Sequence, residues 1–142
     1  MGFNTINLKK VIFDTLKNDS VLIALLDGNE NIFHFYPKQE SNIPYPIVVY
    51  QLLGVEDDVY DNDQNTGVNT ALVNIEVFSD SPTMEEADKI ADRVYALLNF
   101  QSLSNSDVIT YSCLRKSQTE IYDETAQVWR ITAQYELTNA AK

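Results

Sequence analysis

Leu8, Val11, Ile12, Thr15 and Leu16 recur at helical spacing, with Lys9, Lys10, Asp14 and Lys17 on the opposite side. The chain therefore opens with an amphipathic helix, for which Asn4 or Thr5 supplies a cap. Asp19 or Ser20 starts a short second helix through Val21, Leu22, Leu25 and Leu26, and Gly28 ends it in the left-handed conformation that glycine enters at little cost. Pro37, Pro44 and Pro46 forbid a further helix, so Asn29 to Pro46 reads as a connector and Ile47 to Leu52 as a strand closed by Gly54. From Gly54 to Asn69 the periodicity disappears, which predicts a long loop or a frayed hairpin tip. Ala71, Val73, Ile75 and Val77 then alternate with Asn74 and Glu76, the period of a strand with one wet face. Either Ser81 with Pro82, or Thr83 with Glu86 as a capping box, opens the best-marked helix. Its stripe is Ala87, Ile90, Ala91, Val94, Leu97 and Leu98. After a polar linker from Gln101 to Asp107, a strand runs from Val108 to Lys116, with Ile121 as its furthest reach. Asp123 to Ala126 turns the chain into a last strand, where Trp129, Ile131, Ala133, Tyr135 and Leu137 alternate with Arg130, Thr132, Gln134 and Glu136.

This order predicts an α+β fold: a small antiparallel sheet of about four strands with two or three helices packed on one face. No repeat, low-complexity tract or long linker divides the chain, so residues 1–142 are expected to form one domain. At this length roughly 70% of the unfolded surface is buried on folding, enough for a core without disulfides or a structural metal. The longest uncharged apolar run, Val21 to Leu26, is far short of a membrane span, and no basic flank precedes a long apolar run at the start, so neither membrane insertion nor a signal peptide is expected.

Charge changes the picture more than composition does. The net charge is −11, and no basic residue occurs between Lys38 and Lys89, an interval that holds Glu40, Glu56, Asp57, Asp58, Asp61, Asp63, Glu76, Asp80, Glu85, Glu86 and Asp88. Those acids account for the whole imbalance. Gripping nucleic acid through phosphates requires the opposite sign, whereas a surface that must avoid holding DNA fits well.

Candidate chemistry is sparse. Cys113 and His34 are the only residues of their kinds, which excludes an internal disulfide, a Cys/His zinc site and a two-cysteine redox pair. A catalytic triad or dyad would have to be built around His34, and that residue lies in the aromatic run from Ile32 to Tyr36, which reads as packed structure. The aspartates at 57, 58, 61 and 63 lack the rigid, dry cleft that general acid catalysis needs. Asp61, Asp63 and Asn65 alternate as calcium ligands do, but Thr66 stands where an EF-hand loop requires glycine and Leu72 where it requires glutamate. No glycine-rich phosphate cradle is present, and no cofactor or metal is expected. Trp129 reads as core or core edge, while Tyr60, inside the acidic segment with no local core to join, is a candidate protein contact.

Several stretches in order resemble one known family. Leu25-Leu26-Asp27-Gly28, the segment through Ile32 and Tyr36-Pro37, Ile43 to Gln51, Val73 to Ser79, Glu86-Ala87 with Ala91-Asp92, and Tyr122 to Arg130 are together similar to tail completion proteins of long-tailed bacteriophages, over residues 8 to 138. The turn from Asp123 to Gln127 departs from the family in lacking proline and glycine. The resemblance implies a structural virion protein with no enzymatic activity: a tail terminator or tail-to-head joining subunit. Such a subunit assembles as a homohexameric ring at the head-proximal end of the tail tube. It would end tube polymerisation, contact the tail tube protein and the head connector or head-closure protein, and leave a channel through which DNA passes unbound. Its place would be the tail or neck of the virion, after assembly in the host cytoplasm. On this reading Glu56, Asp57, Asp58, Tyr60, Asp61 and Asp63 are candidates for the lumen or for the contact with a neighbouring ring. The competing readings are an acidic protein- or cation-binding module and another neck protein such as head closure.

Overall fold

The computed structural model, which describes residues 5–36, 42–57, 69–104 and 108–141, turns the alternating segments into one sheet with helices against it. Helix α1 spans Thr5–Lys17 and α2 spans Ser20–Leu25; strands β1 (Ile32–His34), β2 (Ile47–Asp57) and β3 (Asn69–Ser79) follow. Helix α3 is Glu85–Leu98, and strands β4 (Leu103–Ser104), β5 (Val108–Asp123) and β6 (Val128–Ala141) complete the order. Among the described residues the sheet has six strands in the spatial order β1-β2-β3-β6-β5-β4. Its four long central strands are the antiparallel set that the alternation predicts. The connector and the polar linker each hide one more strand: β1, parallel to β2, and β4, antiparallel to β5, so the sheet is mixed and wider than expected.

Alternation decides which face the helices cover. Val48 and Tyr50 of β2, Ala71, Val73, Ile75 and Val77 of β3, and Ile131, Ala133, Tyr135 and Leu137 of β6 are buried in one cluster with Leu8, Val11, Ile12 and Leu16 of α1 and the inner stripe of α3. All three helices therefore lie on this face. A smaller apolar cluster forms on the other face, where Ile47, Val49, Phe78 and Val128 are covered by Phe33, Ile43 and Tyr45. Asn31 secures that cover by donating from Nδ2 to the carbonyls of Pro44 (2.9 Å) and Pro46 (3.4 Å). The rest of the second face carries Asn74, Glu76, Arg130, Thr132, Gln134 and Glu136, all partly exposed except for the buried Glu76.

The helix ends correct two expectations. Asp27, not Gly28 alone, enters the left-handed region after α2: Asp27 has φ 60° and Gly28 φ 78°, and the Gly28 N–H donates to the Ile23 carbonyl at 2.9 Å. That six-residue closure satisfies a carbonyl the helix leaves open. Neither Ser81 nor Thr83 caps α3. Met84 holds the cap position without a side-chain bond, while Glu86 accepts from Ser79 Oγ at 2.6 Å, so the carboxylate ties the helix start to the end of β3. Val21, placed on the apolar side of α2 by spacing, is exposed; Leu22 and Leu26 carry the burial.

Asp19 does cap α2, and it does more. Its Oδ2 accepts from Leu22 N at 2.8 Å and from Arg93 Nε at 2.7 Å, while Oδ1 accepts from Arg93 Nη2 at 2.6 Å. A two-pronged ion pair thus fastens α2 to α3. The Arg93 hydrogen bonds hold the Asp19 carboxyl below its ordinary 3.8, partly offset by burial. A depressed folded-state value adds stability above the unfolded pKa and loses it as pH falls through the folded one. Replacing Asp19 by alanine should cost about 2 kcal/mol in urea unfolding at neutral pH. That deficit should shrink below about pH 3.9, where the parent loses the same interaction.

Candidate assembly surfaces

Among the described residues, the candidate acidic segment is reached only at its roots. Glu56 is exposed near the end of β2, and Asp57 is that strand's last residue. Asp58, Tyr60, Asp61 and Asp63 lie outside the described residues. The roots are nonetheless fixed: Asp57 pairs with Asn69, so the segment leaves and re-enters the sheet at one end of a single antiparallel pair. Glu56 and Asp57 continue β2 as ladder residues, which the loss of periodicity after Gly54 concealed.

Just behind those roots runs a buried polar row. Thr110 Oγ1 donates to Asn139 Oδ1 at 2.7 Å, and Asn139 Nδ2 donates to Asn69 Oδ1 and to the Leu137 carbonyl, each at 3.2 Å. Asn139 and Thr110 are fully buried and Asn69 nearly so. These side chains join β5, β6 and β3 across the end of the sheet from which the acidic segment springs. Asn139→Ala strips both neighbours of a partner while leaving them buried, and should lower unfolding stability by about 2 kcal/mol. Thr132→Ala, on the open face of the same strand, should stay within about 0.5 kcal/mol.

The open face has its own fixed charges. Arg130 Nε donates to Glu76 Oε2 at 2.7 Å, and its guanidinium lies 5.8 Å from the centre of the Phe78 ring. Trp129 sits at the core edge, half-buried, its ring 4.7 Å from that of Tyr122. His34 packs between Phe35 at 4.3 Å and Tyr50 at 5.2 Å; burial, with a smaller contribution from Lys9, lowers its pKa, and its Nε2 finds no partner among the described residues. Cys113 is fully buried, and burial pushes its thiol up to about 12, so no thiolate forms at neutral pH. His34 and Cys113 stand on different strands and no hydrogen bond joins them to a nucleophile or base among the described residues. Among those residues no cluster of three or more His, Cys, Asp and Glu side chains is arranged to hold a metal ion, and no helix is long and apolar enough to cross a membrane.

What the sequence left unread is the shape of the two sheet edges. β1 pairs only with Val48 to Tyr50, and β4 only with Ile109 and Thr110. Among the described residues the outer side of β2 beyond Tyr50, and of β5 beyond Thr110, has no neighbouring strand. Leu53 on one edge and Ile121 and Tyr122 on the other are exposed.

With this geometry in hand, the chain was compared with known proteins. Residues 10–138 match the profile of a family described as tail completion protein gp17. Among solved structures, a chain of one titled "Virion of native gene transfer agent (GTA) particle" is similar at 19% identity and a TM-score of 0.72, with 97% of this chain and 97% of that chain covered. At such identity the likeness is one of fold. No curated protein sequence matches this one.

Proposed function

The chain belongs to the tail completion protein gp17 family, and from that premise we propose that it is a structural subunit of a phage virion, ending the tail tube and joining it to the head. Six copies close into a ring at the head-proximal end of the tube, stop its polymerisation, and present a surface to the head connector or head-closure protein, leaving a bore for DNA. The work is geometric, with no bond made or broken. Residues 1–142 act as one domain in this reading. The observation that carries it is the family match over residues 10–138, supported by a fold that follows a virion chain almost from end to end.

Charge supports the placement of the acidic segment. Each copy brings a net −11, concentrated in the base-free interval, and a ring multiplies that charge around its axis. A negative wall does not retain passing phosphates. Glu56, Asp57, Asp58, Tyr60, Asp61 and Asp63 are accordingly proposed to face the lumen or the adjoining ring.

The test is to assemble tail tubes in the absence and presence of the protein and image their ends by electron microscopy. Without it, tubes should exceed the natural length and fail to join heads; with it, lengths should become uniform and a ring should cap one end. Tubes of unchanged length bearing no added density would overturn the reading.

A further inference from the structure

The two free edges of the sheet differ in polarity, position and charge. Because β2, β3, β6 and β5 are successively antiparallel, β2 and β5 run in opposite directions. A second copy set beside the first in the same orientation therefore brings its β2 edge antiparallel to the first copy's β5 edge. The two edges are also blocked at opposite ends, β2 by β1 over Val48 to Tyr50 and β5 by β4 at Ile109 and Thr110. Among the described residues, what stays open is Gln51 to Asp57 on one side and Lys116 to Asp123 on the other, since Phe100 N donates to the Cys113 carbonyl at 2.7 Å and Arg115 N to Asn99 Oδ1 at 2.8 Å. The first ends in Glu56 and Asp57; the second begins at Lys116, with the exposed Arg115 side chain just before it. Antiparallel pairing sets the basic end against the acidic end.

We propose that the β5 edge of one copy pairs with the β2 edge of the next, head to tail, and that this ladder is the seam of the ring; the inference rests on the proposed ring. The bulges fix the register. β2 is irregular at Leu53 and β5 at Lys116. Placing Ser117 opposite Glu56, Gln118 opposite Val55, Thr119 opposite Gly54 and Ile121 opposite Gln51 leaves each bulge unpaired and keeps the bond from Arg115 N to Asn99 Oδ1. It also keeps the helix-covered faces of both copies on the same side. Lys116 then lies beside Glu56. A lysine on an edge bulge keeps that edge from pairing with indifferent strands, and an acidic partner edge relieves it. Such pairing is heterologous, and closes into a ring when the rotation between copies permits. Gly54 contributes a further sign: a Cβ built there meets nothing within 4 Å, so a side chain at that position is free to face a neighbour.

The test uses Gly54→Cys and Thr119→Cys together in a Cys113→Ser background. Within one copy these positions are separated by β3 and β6, roughly 14 Å across the sheet at ordinary strand spacing, and are offset further along the strands because Gly54 is level with Leu72 and Thr119 with Glu76, too far for a disulfide. The protein is added to tail tubes, tube ends are imaged, and the sample is oxidised and run under denaturing, non-reducing conditions. A ladder of covalent multimers rising to a closed six-copy species is expected, with neither single variant giving more than monomer. Capped tubes without a ladder would overturn the edge pairing while leaving the ring in place. Uncapped tubes without a ladder would overturn both. Dimers formed by Thr119→Cys alone would overturn it in favour of a two-fold pairing of β5 with itself.

Discussion

Ile90→Ala is expected to lower unfolding stability by about 3 kcal/mol, enough to shift the urea midpoint well outside error while leaving the transition cooperative. Ile90 is wholly buried at the middle of the inner stripe of α3, the helix that packs on β3, β5 and β6 and also meets α1 and α2. Truncation there removes apolar burial and leaves a cavity bounded by sheet on one side and helices on the other, where neither can collapse independently. Ile90→Val should cost about 1 kcal/mol. One residue earlier, Lys89 reaches Glu85 at 3.1 Å across an exposed surface, and Lys89→Ala should change stability by less than about 0.5 kcal/mol. Equal midpoints for Ile90→Ala and Lys89→Ala would mean that α3 does not pack on the sheet in solution.

The same helix shows what kind of information a sequence carries. Its stripe was legible because Ala87, Ile90, Ala91, Val94, Leu97 and Leu98 repeat at the period of the helix, and all are buried except Leu97, which is half-buried. Its start was not legible, because Glu86 takes its bond from Ser79, a residue of another element brought near by the sheet and not by local spacing. β3 and β6 were read through their middles, Ala71 to Val77 and Trp129 to Leu137, where they alternate against the helix-covered face; both run further, and Phe78 and Val128 at their ends join the smaller cluster on the other face. β5 was read firmly to Lys116 and at its furthest to Ile121, because the bulge at Lys116 shifts the ladder and breaks the period of two; the strand continues to Asp123. β1 and β4 are shorter than a full alternation and exist through their partners, so no local pattern announces them. The acidic segment declared itself through charge and the absence of bases, but its roots at Asp57 and Asn69 became visible only with the register of β2 and β3.

Reversing that charge should produce the largest functional effect. A chain carrying Asp57→Lys and Asp61→Lys is expected to fold normally, with a urea midpoint close to the parent's, since Asp57 is the last residue of its strand and no packed core residue is altered. Particles built from it should be at least roughly tenfold less infective: in the proposed ring, lysines repeated in every copy would attract phosphates or misfit the adjoining ring. The form of the defect separates the two proposed placements. If the segment lines the bore, heads and tails should join and DNA should stall in transit, and raising ionic strength should partly restore delivery by screening the new attraction. If the segment meets the adjoining ring, free heads and free tails should accumulate and salt should not return them to full particles. Glu85→Lys, which reverses one charge on the exposed start of α3, serves as the control and should leave titres near those of the parent. Normal delivery by the Asp57 and Asp61 variant would remove the segment from both the bore and the joint. The acidic interval would then be only a soluble outer surface, and the geometry of the two sheet edges would have to account for assembly without it.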